Sequence, residues 1–311
     1  MRLIKPSFEI LEQPKGLEGI IKMIEIAGRT CYKSEDKITE DSATKFVGML
    51  IDRNHTAMLE HGTVYLKIPY NLAHRLTHPG LCRKYCNNPY SKVEEFYEMV
   101  EMPHAFETTF GNMVPYLAVT TNYRVLVENG WLEDLKYLCE PTQYHPKRVT
   151  VRFITDRGVS HEIVRHRVMS FAQESTRYCN YSKDKFGNEL SFIIPTWAHN
   201  LNADSVEEMD EGGMTMNEKV FITVLENSEA SYLLMLANGA TPQEARQVLP
   251  NALKTEIIVT GFISDWNHFF DLRARGRYTD SKGREWVSNP HPDMKALAEP
   301  LMGEFYKRGL I

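Results

Sequence analysis

Long apolar segments are missing from the sequence. No run approaches the roughly 18 residues that a bilayer-spanning helix requires, and residues 1–6 lack the apolar core of a signal peptide. We therefore expect a soluble, cytoplasmic protein without a membrane partner.

Cysteine is also scarce, with five residues at irregular spacing in a chain of 311. An odd number without a regular pattern argues against a disulfide framework. Cys82 and Cys86 are spaced to share a helix face and bind a metal ion, but no matching pair of cysteine or histidine residues lies nearby. We therefore expect no metal, and free thiols that pack in the interior.

Several familiar motifs are absent. The chain has no glycine-rich dinucleotide fingerprint and no P-loop, so any nucleotide must be held in another way. It also lacks the G-x-S-x-G turn of many serine hydrolases. The formal net charge of -5 argues against a general nucleic-acid binder but leaves room for a local basic pocket.

The composition, 42% hydrophobic and 25% charged, is that of a globular protein with a sizeable core. We predict an α+β fold, a single domain over residues 1–311 with long helices around a mixed or antiparallel sheet. Periodicity and capping residues predict helices over 16–29, 41–53, 115–129, 131–139, 160–168, 216–238, 241–249, 264–275 and 292–307. Alternating or β-branched runs predict strands over 63–68, 149–155, 190–194 and 254–262. Residues 70–114 show no clean period, and we predict that residues 70–149 are an insertion.

Residues 165–178 contain three arginines, a histidine, two serines and a threonine within fourteen positions. Arginine presents a rigid fork of donors to phosphate or carboxylate, and its charge is permanent. The hydroxyl groups of Ser175 and Thr176 beside Arg177 complete the chemistry of a phosphate cradle. Arg165 and Arg167 would point in different directions on a helix, which would suit two anions, a nucleotide and a dinucleotide cofactor.

Three other interpretations of this segment remain open at this stage. Its arginines can form a solvated face or pair with acids, namely Asp156, Glu162 and Glu174, although the apolar flanking residues favour a pocket. A catalytic nucleophile is disfavoured. Ser175 could use His166 or His161 as a base, but the sequence offers no complete triad. Cys179 lacks a clear group that would activate its thiol. A single-stranded nucleic-acid binder would need stacking aromatics, for which the available side chains are Phe171, Tyr178 and Tyr181.

The same segment resembles the signature of flavin-dependent thymidylate synthases, Arg-His-Arg-x-x-Ser followed by Ser-x-Arg-Tyr. The matching positions are Arg165, His166, Arg167, Ser170, Ser175, Arg177 and Tyr178. Residues 27–32, 55–61, 244–250 and 268–273 resemble further segments of that family in the right order. The resemblance covers roughly residues 16–69 and 150–275, and it leaves 70–149 unexplained.

The resemblance implies a homotetramer whose active sites are shared between subunits. It implies bound FAD, with NADPH as reductant and methylenetetrahydrofolate as carbon donor for the methylation of dUMP. No enzyme cysteine would attack the pyrimidine ring, and no nucleic acid or membrane partner is expected.

The resemblance also implies roles for individual residues. Arg273 would lie at the uracil ring and favour ionisation at its N3, because a fixed cation stabilises a developing anion. The positions implied for the nucleotide are Glu162, Arg165, Gln173, Glu174, Ser175, Thr176, Arg177, Arg246 and Arg273. The positions implied for the flavin are His55, Thr56, Arg165, His166, Arg167, Gln173 and His268.

This chain departs from the family pattern at three places. Ala172 and Gln173 stand where the family commonly has Asn and Glu, so Gln173 can hydrogen-bond but cannot act as a base. Phe262 stands where an asparagine often contacts the flavin. Glu162 replaces a common glutamine, and a carboxylate there can accept from a cytosine amino group, which keeps dCMP open as an alternative substrate.

Overall fold

The computed structural model describes residues 1–69, 84–99, 113–183, 187–202, 204–205 and 213–311. Its helices are α1 (Gly16–Tyr32), α2 (Ser42–Asp52), α3 (Tyr123–Asn129), α4 (Arg157–Ile163), α5 (Met216–Ala237), α6 (Pro242–Ala245), α7 (Ile263–Phe270) and α8 (Pro292–Lys307). Its strands are β1 (Arg2–Ile4), β2 (Ser7–Leu11), β3 (Thr63–Pro69), β4 (Lys92–Met99), β5 (Met113–Asn122), β6 (Arg148–Asp156), β7 (Ser170–Gln173), β8 (Ser191–Ile193), β9 (Asp204–Ser205), β10 (Lys254–Phe262), β11 (Arg277–Thr279) and β12 (Glu285–Val287). The mixture of helices and several sheets confirms the predicted α+β class, while the extent of a single domain stays a prediction.

An antiparallel sheet in the order β2-β6-β10-β7 forms the centre of the fold. The predicted strands over 149–155 and 254–262 are its two middle members. Their apolar side chains pack against α7 and α8, with Phe153, Trp266 and Phe305 fully buried in one core. The edge strand β7 was not predicted, and it carries the middle of the arginine-rich segment. This sheet therefore fixes the position of the middle of that segment.

The predicted first two helices are confirmed, and they lie against the central sheet and a second one. Ile20 and Ile24 on α1 pack with Phe46 and Leu50 on α2. Gly28 permits this close approach, because a Cβ atom there would lie 2.6 Å from the Phe46 ring. The pair buries an apolar face of the kind that stabilises most helices in proteins.

The second sheet has the order β3-β5-β4. The predicted helix over 115–129 is wrong over its first half, because residues up to Asn122 form a strand paired on both sides. Pro115 belongs to this strand, not to a helix start, and it lies beyond the end of the β3 pairing, where a missing N–H is tolerated. Only Tyr123–Asn129 is helical, and Gly130 ends it as expected.

The predicted insertion falls partly within this second sheet. Strands β4 and β5 contribute Val93, Leu117 and Val119 to the core that also holds Ile20 and Leu50. The described part of residues 70–149 is thus packed into the body of the protein. Whether it is an insertion relative to the family stays a prediction. The predicted helix over 131–139 is present as a 3-10 helix over Leu132–Tyr137.

Smaller elements complete the structure. Strands β1, β8 and β9 form a three-stranded sheet, and β11 and β12 form a hairpin. The predicted helix over 160–168 begins earlier and ends at Ile163, after which the chain turns towards β7. A capping box between Thr241 and Glu244 opens α6, as the sequence indicated. The helix expected over 264–275 continues from α7 as a π-helical turn, Asp271–Arg275.

One described helix, α5, is long and apolar enough to cross a membrane by length and composition alone, contrary to the expectation that no segment reaches that length. Only 17% of its apolar window is buried. The carboxylate of Glu229 accepts a hydrogen bond from Leu190 N at 2.6 Å, which ties this helix to the rest of the chain. Val220, Val224 and Leu234 on the helix are exposed.

Candidate active site

The arginine-rich segment wraps around one edge of the central sheet. Its residues alternate between inside and outside: His166 is buried, whereas its neighbours Arg165 and Arg167 are exposed. After β7, the Ser175 N–H donates to the Cys31 carbonyl at 3.0 Å, which anchors the segment to the end of α1. The two exposed guanidinium groups are therefore presented outward from a fixed backbone.

Arg273 is the centre of a cluster on one side of the segment. Its Nη1 donates to Glu162 Oε2 at 2.6 Å, and its Nε donates to His166 Nε2 at 3.0 Å. The exposed ring of His268 lies edge-on to His166, with 6.0 Å between ring centroids. The structure thus brings together four residues that the sequence singled out. They are Glu162 of α4, His166 of the arginine-rich segment, His268 of α7 and Arg273 of the π-helical turn.

The protonation state of His166 follows from this geometry. Because a guanidinium can only donate, His166 Nε2 must accept, and the ring proton is on Nδ1. Burial, the charge of Arg273 and the neighbouring His268 lower the pKa of His166 to about 4. A neutral His166 with its Nε2 occupied by Arg273 cannot serve Ser175 as a base, so the hydrolase interpretation loses its dyad.

We predict that His166 stays neutral from pH 8 down to about pH 5. Imidazole carbon and proton shifts measured by NMR across this range would follow its titration. In the Arg273→Gln variant the midpoint is expected to move to higher pH, because a nearby positive charge is removed. A wild-type midpoint above pH 6 would contradict the described burial and hydrogen bonding.

Glu174 belongs to a buried ionic network beneath the segment. Its Oε2 accepts from Lys254 Nζ at 3.0 Å, and its Oε1 accepts from the Tyr181 hydroxyl at 2.9 Å. Lys254 also contacts Glu256, as does Lys33, each at 2.5 Å. Both oxygens of Glu174 are therefore engaged inside the protein, which favours a positioning role for it over the nucleotide contact implied by the resemblance.

Glu256 gives this network a pH dependence. Burial alone would raise the pKa of this carboxyl, but the charges of Lys254 and Lys33 and their hydrogen bonds lower it to about 2. The stabilisation is present above the unfolded value of about 4.5 and is lost as the pH falls towards 2.

We predict that wild-type protein loses about 3 kcal/mol more stability than the Glu256→Gln variant between pH 6 and pH 2. Urea unfolding at a series of pH values measures this difference, since the amide cannot titrate. Equal losses in the two proteins would show that Glu256 is not held ionised by its lysine partners.

A second cluster lies on the other side of the segment. Arg246 Nη1 donates to Thr176 Oγ1 at 3.4 Å, and both residues line a cavity of about 230 Å³. Arg177 is exposed, and its Nε donates to Gln243 Oε1 at 3.0 Å. Within the described ranges, none of the arginines at positions 165, 167, 177 and 246 forms an ion pair. Their charges remain available to an anion.

The acids proposed as alternative partners of these arginines are engaged elsewhere. Asp156 caps α4 by accepting from Val159 N at 2.8 Å. Glu162 pairs with Arg273, and Glu174 pairs with Lys254. The segment's arginines therefore do not pair with these acids, and that part of the alternative interpretation is wrong. The guanidinium groups of Arg165, Arg167 and Arg177 do face solvent in the single chain.

A larger cavity, about 410 Å³, lies beside the tyrosine that ends the segment. His55, Thr56 and Tyr178 line it, together with Tyr32 and Arg124. The Tyr32 hydroxyl and His55 Nδ1 share a hydrogen bond of 3.0 Å, and the rings of Tyr32 and Tyr178 are 5.6 Å apart. The cavity combines aromatic faces with a histidine and with Arg124, whose guanidinium pairs with Glu60 and Glu128. Its volume is within the range of ligand pockets.

Two residues that depart from the family pattern, Gln173 and Phe262, have defined contacts in the structure. Gln173 donates from Nε2 to Ser160 Oγ at 2.8 Å and to Thr255 Oγ1 at 3.2 Å, so its amide is held against the sheet. Phe262 lies under two cations, with Lys92 Nζ 4.4 Å and the Arg148 guanidinium carbon 5.6 Å from its ring centroid. Lys92 comes from the region that the resemblance did not explain.

Two further expectations concern cysteine. Cys179 is fully buried, which agrees with a packing role and leaves a substrate no access to the thiol. Cys82 lies outside the described residues, and Cys86 is exposed. Among the residues that the structure describes, no group of three histidine, cysteine, aspartate or glutamate side chains is placed to hold a metal ion.

Lys254 and Arg157 belong to these clusters although no sequence motif indicated them. Lys254 fixes Glu174 together with Tyr181, which the sequence suggested only as a stacking aromatic, and Arg157 lines the smaller cavity. Lys254 follows Asn251, Ala252 and Leu253 without any recognisable motif, and its pairing with Glu174 spans 80 positions. No local pattern could have indicated these contacts, because they arise from strand pairing between distant parts of the chain.

The two clusters and the neighbouring cavity place guanidinium groups, hydroxyl groups and aromatic rings together at one edge of the antiparallel sheet. Residues 145–307, slightly more than half of the chain, match the family described as "Thymidylate synthase complementing protein". The chain belongs to that family, which confirms the resemblance noted in the sequence.

Relatives with assigned names agree with this membership. A "Flavin-dependent thymidylate synthase" of Geobacter sulfurreducens is 32% identical over 121 residues, 38% of this chain and 44% of that protein. One of Corynebacterium diphtheriae is 32% identical over 171 residues, 53% of this chain and 62% of that protein. The chain spans about half the length of the curated relatives it matches.

A solved structure also overlaps most of the chain. It is the UMP/dUMP methylase PolB from Streptomyces cacaoi bound with 5-Br dUMP, and the alignment covers 99% of this chain and 93% of that one. The TM-score is 0.42 and the sequence identity 15%, a likeness too distant to define the fold or the ligands of this chain.

Proposed function

We propose that this protein is a flavin-dependent thymidylate synthase that methylates dUMP to dTMP. The supporting observation is the pair of clusters around one segment, Arg273 with His166 and Glu162, and Arg246 with Thr176. Methylenetetrahydrofolate would donate the carbon. Because a methylene group must gain two electrons to become a methyl group, a reductant is required, and NADPH acting through FAD is the proposed source.

The residues present fit a flavin. The cavity lined by His55, Thr56 and Tyr178 offers aromatic faces and hydrogen-bonding groups, and the unpaired Arg165 and Arg167 offer charge to a pyrophosphate. FAD, when bound, would supply the reducing equivalents for the one-carbon transfer. The ring of His166, within the segment, contacts that of His268, and the two rings would help to position the flavin.

Each cluster would have its own task towards the nucleotide. Thr176, Arg177 and Arg246 would bind the phosphate, since hydroxyl and guanidinium donors suit a dianion. Arg273 would stabilise negative charge at the uracil N3, and Glu162 would hold its guanidinium in place. The neutral His166 accepts from Arg273 Nε and thereby fixes the direction of that side chain.

We also propose a homotetramer with shared active sites. The arginines at positions 165, 167 and 177 are exposed in the single chain, which suits a site completed by a second copy. The exposed apolar residues of α5, including Val220, Val224 and Leu234, would be covered in such an assembly. A cytoplasmic location remains part of the proposal.

An anaerobic assay with FAD, NADPH and methylenetetrahydrofolate tests the proposed reaction. With dUMP we expect a product heavier by one CH₂ unit, detected by mass spectrometry, and none when any component is omitted. Absence of dTMP with the complete mixture would contradict the proposal. Running dCMP in parallel tests the alternative substrate.

The contact with Arg273 supports uracil as the proposed base. It engages one oxygen of Glu162, Oε2, at 2.6 Å and leaves Oε1 to accept from a cytosine amino group. A nucleic-acid binder is disfavoured, because Tyr181 is buried and only Tyr178 of the three aromatics is strongly exposed. A colourless protein that binds single-stranded DNA with steep salt dependence would support that alternative.

We predict that Arg177→Ala weakens dUMP binding about 10-fold or more. The expectation rests on the loss of a charge-assisted hydrogen bond, which is worth roughly 1.5–3 kcal/mol. Isothermal titration calorimetry of the folded variant measures the change. Unchanged dUMP affinity would remove Arg177 from the binding site.

A further inference from the structure

The smaller cavity, which holds Arg246 and Thr176, also has an arginine that the proposed function does not use. It lies between α4 and residues 246–253. The residues that line it are Arg157, His161, Thr176, Arg246, Gln247, Leu249, Pro250, Asn251 and Leu253. This set contains two guanidinium groups and no carboxylate, so the cavity is electropositive.

Neither guanidinium is neutralised by the protein. Within the described part of the chain, Arg157 and Arg246 form no ion pair, and Arg246 donates only to the hydroxyl of Thr176. The nearest acid in sequence, Asp156, is turned into the α4 cap through Val159 N. Two cations that share one cavity repel each other, and an anion between them would reverse that repulsion.

Arg157 has a second unusual feature. Its Nη1 atom is buried and has no hydrogen-bond partner among the described residues. A buried charged donor without an acceptor is costly, and such groups are normally paired or ligand-bound. Its backbone is fixed, because Arg157 N donates to the Asn251 carbonyl at 2.9 Å. Arg157 thus lines the cavity, and one of its guanidinium donors has no acceptor among the described residues.

We propose that Arg157 binds the 5′-phosphate of the substrate nucleotide together with Arg246 and Thr176. The inference rests on the proposed function, because Thr176 and Arg246 are the residues that would bind that phosphate. Two guanidinium groups and a hydroxyl match the charge and the acceptor oxygens of a phosphate dianion. The cavity, at about 230 Å³, is larger than a phosphate group and leaves room for part of the sugar.

This assignment makes Arg157 a determinant of specificity for nucleotides over nucleosides. A ligand without the phosphate would gain no binding free energy from the cavity and would leave Arg157 and Arg246 without an anionic partner. The resemblance to the family signature gives no role to Arg157, which lies eight positions before its first arginine.

The test measures binding of dUMP, dCMP, deoxyuridine, NADPH and inorganic phosphate to the FAD-loaded full-length protein by isothermal titration calorimetry. The variants are Arg157→Gln and Arg157→Lys. Arg152→Gln is the matched control, since Arg152 is on the preceding strand and pairs with Glu9, not with residues of the cavity. Thermal melts establish that each variant is folded.

For Arg157→Gln we expect dUMP affinity to fall about 10- to 100-fold, with deoxyuridine affinity changed less than about threefold. Arg157→Lys should lose less dUMP affinity than Arg157→Gln, because lysine keeps the positive charge but lacks the paired donors of a guanidinium. Arg152→Gln should match wild type with both ligands. Phosphate should compete with dUMP in wild type and much less in Arg157→Gln.

Three outcomes separate this inference from the proposed function. Unchanged dUMP affinity in folded Arg157→Gln overturns the role of Arg157 and leaves the proposed function standing. A loss confined to NADPH binding assigns the cavity to the reductant and also overturns it. Wild type could bind dCMP and not dUMP, while Arg157→Gln loses the part of the dCMP affinity that depends on the phosphate. In that case the role of Arg157 holds and the proposed substrate is wrong.

Discussion

Replacing Arg273 by glutamine is expected to lower the turnover of dUMP about 100-fold while the protein stays folded. The proposed role of Arg273 is to stabilise charge that develops on the pyrimidine, and removal of one such donor typically costs that much in rate. The substitution also frees Glu162 and His166, which the guanidinium now connects. Because the stabilised charge develops during reaction, the loss should fall mainly on kcat.

Arg275 provides the matched control for this experiment. It lies in the same π-helical turn, but its guanidinium donates to Asp271 and to the Tyr306 hydroxyl, away from the cluster. Arg275→Gln should therefore retain turnover within a few-fold of wild type. If Arg273→Gln were as active as Arg275→Gln, the assignment of Arg273 to the reacting ring would be wrong.

Replacing Lys254 by methionine is expected to destabilise the protein by about 3–5 kcal/mol. Lys254 contacts two buried carboxylates, Glu174 and Glu256. Methionine fills similar volume but, among the described residues, leaves the Glu174 carboxylate hydrogen-bonded to the Tyr181 hydroxyl alone and Glu256 paired with Lys33 alone. An unpaired buried carboxylate is strongly unfavourable, so the cost exceeds that of an ordinary surface charge.

Urea unfolding measures this change, with Lys295→Met as the control. Lys295 pairs with Glu299 on the surface of α8, where such pairs contribute at most about 1 kcal/mol. A loss below about 1 kcal/mol for Lys254→Met would mean that the network is solvated and does not hold the arginine-rich segment.

The long elements of the fold could be predicted because their patterns are local. Helices such as α1 and α8 and strands such as β6 and β10 carry their period in their own residues. The helix predicted at Pro115 was wrong because a proline at a helix start and a proline near a strand end look alike in sequence. The pairing with β3 and β4, which decides between them, comes from distant segments.

The sequence predicted which residue types make up the candidate site, but it did not predict which of these residues contact each other. The segment containing His166 and Arg177 was recognisable from its residue types alone. The pairing of Glu162 with Arg273 spans 111 positions, and it gives Glu162 a role that the sequence did not suggest. Arg157 belongs to no motif; its place on the cavity wall and its unpartnered guanidinium donor both follow from the fold.

A spectral titration determines whether the arginine-rich segment binds a nucleotide phosphate next to a flavin. Protein reconstituted with FAD is titrated anaerobically with dUMP and, separately, with deoxyuridine while the flavin absorption bands are recorded. We predict a saturable change in the flavin spectrum with dUMP and a much weaker response to deoxyuridine. Failure to bind FAD, or a spectrum unaltered by saturating dUMP, would contradict the account.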